Sequence, residues 1–153
     1  MSMYMNLSTS TENSNFSYNA NIEEGKIVAM EVYNKNGESL SANLKHLYTY
    51  DEQERLVKRE TLKWNKTAQA WQKHDCLLYV YDNEGYTVER HFWSESKNDY
   101  AQADARSRYT VVMDNVLAVD NYTFNKELGD YEFAEKMLIM TPDTERLMAI
   151  FND

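Results

Sequence analysis

From Lys26 to Phe151 short apolar runs alternate with clusters of turn residues, and nowhere does the 3.6-residue apolar spacing of a helix persist. The runs Ile27 to Tyr33, Leu47 to Tyr50, Leu56 to Trp64, Leu77 to Tyr81 and Tyr86 to Trp93 read as strands. So do Tyr109 to Met113, Val116 to Phe124, Tyr131 to Met140 and Leu147 to Phe151, all rich in β-branched and aromatic side chains. The connections are short, which makes neighbouring strands antiparallel. The pattern therefore predicts an all-β domain: an antiparallel meander of about 8–10 strands, open or partly rolled. Residues 2 to 21 are dominated by Ser, Thr and Asn, so residues 1–24 read as a flexible polar arm and residues 25–153 as one β-meander domain. Tyr4, Phe16 and Tyr18 offer an alternative in which the second half of the arm is an edge strand.

Two markers repeat along the domain. Tyr50-Asp51 returns 31 positions later as Tyr81-Asp82, and Met113-Asp114 stands 32 beyond that, each closing an apolar run. In step with them, Trp64 precedes Trp71, Trp93 precedes Tyr100 and Phe124 precedes Tyr131 by seven residues. A polar loop between each two rings would set them opposite one another on a hairpin, where a cross-strand aromatic pair contributes roughly 0.5–1 kcal/mol. About three hairpin repeats result. In Tyr81-Asp82-Asn83-Glu84-Gly85, Asp and Asn suit a type I turn and Gly85 suits a following residue of positive φ; Gly37 is expected to do the same. Glu54 occupies the equivalent place after Tyr50-Asp51, which predicts a strained or differently shaped turn.

At these residues the chain resembles the Tyr-Asp repeats of Rhs-type bacterial surface proteins, with Tyr48-Thr49-Tyr50-Asp51 through Leu56 and Tyr79-Val80-Tyr81-Asp82 through Tyr86. The span from Lys26 to Phe151, including Leu62-Lys63-Trp64-Asn65, is similar to a family of small secreted Bacteroidetes proteins of unknown function. That resemblance implies an all-β meander exported from the cytoplasm, and it implies no activity, cofactor or catalytic residue.

Charge narrows the partners. Lys and Arg number 16 against 25 Asp and Glu, a net charge of -9, which repels a nucleic-acid backbone. Cys76 is the only cysteine, so a disulfide within the chain and a thiolate zinc cluster are both excluded. No apolar run is long enough for a membrane-spanning helix, and Met1 to Asn21 lacks the charged-then-apolar order of a signal peptide.

Three constellations bear on chemistry. His74 and Cys76 share a strand face and His91 lies on the next strand, which would suit a thiolate nucleophile, although a small buried cysteine explains the pattern as well. The carboxylates Glu52, Glu54, Asp82, Glu84, Asp99 and Asp104 fall in turns, where capping accounts for them, and none follows the spacing of a calcium loop. Neither a metal nor a cofactor is expected. The rings Trp64, Trp71, Trp93 and Tyr100 are the candidate ligand-binding residues, able to stack on a sugar or anchor a protein, with hairpin stapling as the competing role. The expected function is a non-enzymatic extracytoplasmic binding or scaffold module for a glycan or protein. A homo-oligomer assembling through sheet edges is the second reading, and a hydrolase the third.

Overall fold

The computed structural model describes residues 2–3 and 15–140. Among the described residues eleven strands form and no helix does. They are β1 (Ser2–Met3), β2 (Phe16–Glu23), β3 (Lys26–Asn36), β4 (Ser39–Tyr50), β5 (Leu56–Asn65), β6 (Ala70–Tyr81), β7 (Gly85–Ser94), β8 (Asp99–Tyr100), β9 (Ala105–Met113), β10 (Val116–Asn125) and β11 (Asp130–Met140). The hydrogen-bonded path follows chain order from β1 to β11, with the two-residue β8 paired beside β9 along β7. The expected all-β antiparallel meander is thus the fold. Phe16–Glu23, within the segment whose composition reads as an arm, pairs with β3 over its whole length. The strand expected over Leu147 to Phe151 lies outside the described residues.

Several strands outrun their apolar stretches. β4 begins at Ser39, eight residues before Leu47, because its first half, which alternates polar and apolar residues, continues the ladder with β3 from Asn36↔Ser39 to Val32↔Leu44. Backbone pairing needs no apolar side chain, and an antiparallel neighbour satisfies each N–H and C=O whatever the residue. β9 likewise starts at Ala105, where Arg90↔Ala105 opens its register with β7.

The chain divides into two compact units, one reaching to Thr49 and adding Arg59–Asp75, the other comprising Tyr50–Lys58 and the chain from Cys76 onward. In the first, Glu24 and Gly25 join β2 to β3 with φ of 49° and 78°, the two positive values of a type I′ turn. Gly37 has φ 62° as the first residue of the two-residue link between β3 and β4. Ala20, Val32 and Thr61 are its buried residues among those described. In the second unit Cys76, Ala103, Leu117, Ala118 and Val119 are buried. These are mostly small side chains, so much of the apolar stabilisation rests on half-buried rings and long stems.

The three turns marked by an aspartate after an apolar run have three shapes. The Asp51 N–H donates to the Arg55 carbonyl at 2.9 Å, the Asp82 N–H to the Gly85 carbonyl at 3.0 Å, and Met113↔Val116 leaves only Asp114 and Asn115 between strands. Glu54 carries the strain expected of it, with φ 64°. Gly85 departs from expectation. It is not in the left-handed region; a Cβ there would collide with the Tyr109 carbonyl oxygen, so glycine is required by the close passage of β9. Gly85→Ala should therefore cost roughly 2–3 kcal/mol in urea-unfolding stability, the scale of a forced overpacking. Glu54→Gly should be neutral or stabilising by up to about 1 kcal/mol, because it relieves a left-handed non-glycine residue.

Candidate functional site

Each aromatic pair foreseen seven residues apart forms, and always edge to face. Trp64 and Trp71 have ring centroids 5.2 Å apart at 69°, Trp93 and Tyr100 5.2 Å at 80°, and Phe124 and Tyr131 5.3 Å at 66°. Trp93↔Tyr100 and Phe124↔Tyr131 are direct register partners. Between the rings run four-residue loops whose last residue is left-handed: Gln69 at φ 50°, Asn98 at 49° and Gly129 at 68°. The residue before each loop fastens it. Asn65 Oδ1 accepts from the N–H groups of Thr67 and Ala68, Asn125 Oδ1 accepts from those of Glu127 and Leu128, and the Ser94 carbonyl accepts from Lys97. A ring-Asn or ring-Ser dipeptide before each loop is thus a signal, present in the sequence, for where the loop begins.

The second ring of each pair also carries a cation. Lys45 Nζ lies 6.0 Å from the Trp71 centroid, Lys58 Nζ 5.5 Å from Tyr100, and the Arg106 guanidinium 4.0 Å from Tyr131. Trp64 and Trp71 lie in the first unit, Trp93 and Tyr100 in the second, and all four are half-buried. Edge-to-face stapling accounts for their spacing.

On the second unit, register sorts side chains onto two faces. The partners Tyr86↔Tyr109, Val88↔Ser107 and Arg90↔Ala105 share one face. There Leu77, Val88, Arg90, Ala105, Ser107 and Tyr109 line a depression of about 220 Å3. Beside it Tyr86 stacks on Tyr109, centroids 4.6 Å apart at 8°, and touches Tyr81 and Tyr79 at 5.6 and 6.5 Å. Burial among these rings pushes the Tyr86 hydroxyl up to about 12. Arg90 forks onto Asp104, Nε to Oδ1 at 2.9 Å, and this hydrogen bond holds the carboxyl below its ordinary value. Ser107 donates to Asn121 Oδ1 at 2.6 Å, and Asn121 donates to Glu135 at 3.3 Å.

The opposite face carries Glu89 with Arg106 at 2.6 Å and Thr87 with Arg108. Arg108 grips Asp82 with both terminal guanidinium nitrogens, at 2.7 and 2.8 Å, while Asp82 also caps the N–H groups of Glu84 and Gly85. Arg108's hydrogen bonds lower Asp82 to about 2. These arginines went unremarked in the sequence, although Arg106 and Arg108, two apart in a strand, must share a face.

Cys76 is 1% exposed. His91 Nδ1 lies 2.8 Å from the Ala101 carbonyl, and since a carbonyl only accepts, this nitrogen holds the proton. Its Nε2 faces Glu89 Oε2 at 3.5 Å without hydrogen-bond geometry. Tyr131 donates to the Ala103 carbonyl at 3.0 Å, so His91 and Tyr131 together fasten residues 101 to 104, where the chain leaves β8 for β9. His74 pairs with the adjacent Asp75 in the first unit. Among the described residues no three His, Cys, Asp or Glu side chains converge on a metal position.

Strand order, ring staples and locally neutralised charges define a class: an all-antiparallel β-meander protein with stapled hairpins. The chain belongs to the family of unknown function DUF3836, whose model matches residues 1–114. Among solved structures it is similar to a protein of unknown function from Bacteroides fragilis, at 23% identity and a TM-score of 0.71 over 83% of this chain and 92% of that one. It is also similar to DUF3836 family proteins from Bacteroides vulgatus (20% identity, TM-score 0.45, 82% and 99% covered) and Parabacteroides distasonis (15%, 0.44, 90% and 97%). No curated protein matches it.

Two outcomes follow from this geometry. The buried Cys76 thiol should resist iodoacetamide in the native protein and react at the ordinary rate only once the protein is unfolded in urea; rapid native alkylation would contradict its placement. Because the folded pKa of Asp82 lies below its unfolded value, the Arg108 pair stabilises fully above about pH 4 and the contribution disappears as pH falls through about 2. Urea midpoints across that window should fall, less steeply in Arg108→Met, and the difference should shrink in high salt because Asp82 is half exposed.

Proposed function

We propose that this protein is a non-enzymatic scaffold module whose working contact is a protein interface along β11, occupied by a second copy of the chain. One observation carries the reading: β11 exposes Phe133 at 60%, Leu138 at 68% and Met140 at 79%, with Met137 and Ile139 also exposed. Among the described residues it ends the hydrogen-bonded path, so its outer edge presents a ladder beside apolar side chains on both faces. Met137 to Met140 carries no charge. An antiparallel pairing centred on Leu138 sets Met137 against Ile139 and Lys136 against Met140 of the other copy, so no like charges oppose, and the twofold contact closes on itself. The resemblance to exported proteins supports placing this role outside the cytoplasm, which fractionation of the native host would test.

Light scattering coupled to size exclusion should give twice the chain mass at high concentration, and Leu138→Lys, with circular dichroism unchanged, should return the single-chain mass. A wild-type protein that stays monomeric at millimolar concentration overturns the reading, as does a dimer indifferent to Leu138→Lys with Met140→Lys as a second check.

A further inference from the structure

The depression on the second unit is lined by residues of strands β6, β7 and β9, none of them among the β11 side chains of the proposed contact. We propose that it binds one neutral sugar ring, as a residue of an oligosaccharide. Size points to one ring: its roughly 220 Å3 falls below the ~300–1,000 Å3 of pockets that take drug-sized ligands. The lining fits the two-sided chemistry of a pyranose, whose C–H face needs apolar or aromatic contact and whose hydroxyls need both donors and acceptors. Leu77, Val88 and Ala105 supply the apolar floor, and Tyr109, held in the stack with Tyr86, supplies a ring whose orientation is fixed before any ligand arrives.

The polar groups are likewise set in advance. Arg90 is held by the forked bond to Asp104, and Ser107 by its bond to Asn121, which is itself bonded to Glu135. Donor and acceptor atoms of these fixed pairs offer hydroxyls partners of both kinds. The Arg90 charge is already balanced by Asp104, so the pair offers an anionic ligand no net positive charge, whereas a neutral polyhydroxyl ring needs none. The Trp and Tyr staples are poorer platforms, since the faces of Trp71 and Tyr100 already take Lys45 and Lys58.

Methyl and aromatic NMR spectra of the full chain, titrated with neutral oligosaccharides of glucose, galactose, mannose, xylose and N-acetylglucosamine, test the site. At least one probe is expected to shift the Leu77, Val88 and Ala105 methyls together with the Tyr109 ring. Ala105→Phe, which fills the depression, should weaken that probe at least tenfold, and Ser107→Ala at least threefold, with thermal unfolding confirming that each variant folds. The proposal is overturned if no neutral sugar moves these signals, if the shifts centre on Trp64, Trp71, Trp93 and Tyr100, or if folded Ala105→Phe binds unchanged. Stronger shifts with uronic or sialic acids than with any neutral sugar would also reject it. None of these outcomes depends on the state of assembly, which the β11 variants report separately.

Discussion

Edge-to-face packing of two rings across the mouth of a four-residue loop fixes the register of each of three hairpins, and the register then places nearly everything else. A pair such as Phe124 and Tyr131 is a short-range contact within one hairpin, contributing roughly 0.5–1.5 kcal/mol beyond its buried area. In a fold whose fully buried described residues are mostly small, such as Ala20, Ala103 and Ala118, contacts of that size matter more than they would beside a large core. A slip of one residue would move Tyr109, Ser107 and Ala105 to the other face and exchange them for Arg108 and Arg106.

Charge follows from that register. Arg106 meets Glu89, Arg108 meets Asp82 and Arg90 meets Asp104, so three arginines of an acidic protein are each matched by a carboxylate that the strand register brings beside them. Several of these pairs are also structural ties. Arg108 holds the Asp82 turn from 26 residues away, and Arg106 packs on the Tyr131 ring whose hydroxyl fastens the passage from β8 to β9. One face of the second unit carries the Arg106 and Arg108 pairs, while the other keeps the Arg90 pair, a tyrosine stack and a shallow depression.

The ring pairs and turn positions were legible in the sequence because each depends on residues seven or fewer positions apart. Turn shapes were less so. Gly85 looked like a residue chosen for positive φ, and its actual reason is the carbonyl of Tyr109, 24 positions away. The cations over Trp71 and Tyr100 and the fastening of residues 101 to 104 by His91 and Tyr131 likewise left no local trace, since they join strands that are distant in the chain. Strand starts such as Ser39 were hidden because a polar residue completes a backbone ladder as well as an apolar one.

By itself, then, the sequence determined the all-β meander, the places where the chain turns and the partners of its stapling rings, for these follow from alternation and short-range pairing. Only the tertiary structure decided which arginine meets which carboxylate, why position 85 must be glycine, and which side chains gather around Tyr109. Those depend on the register between strands brought together across long stretches of chain, which no local pattern encodes.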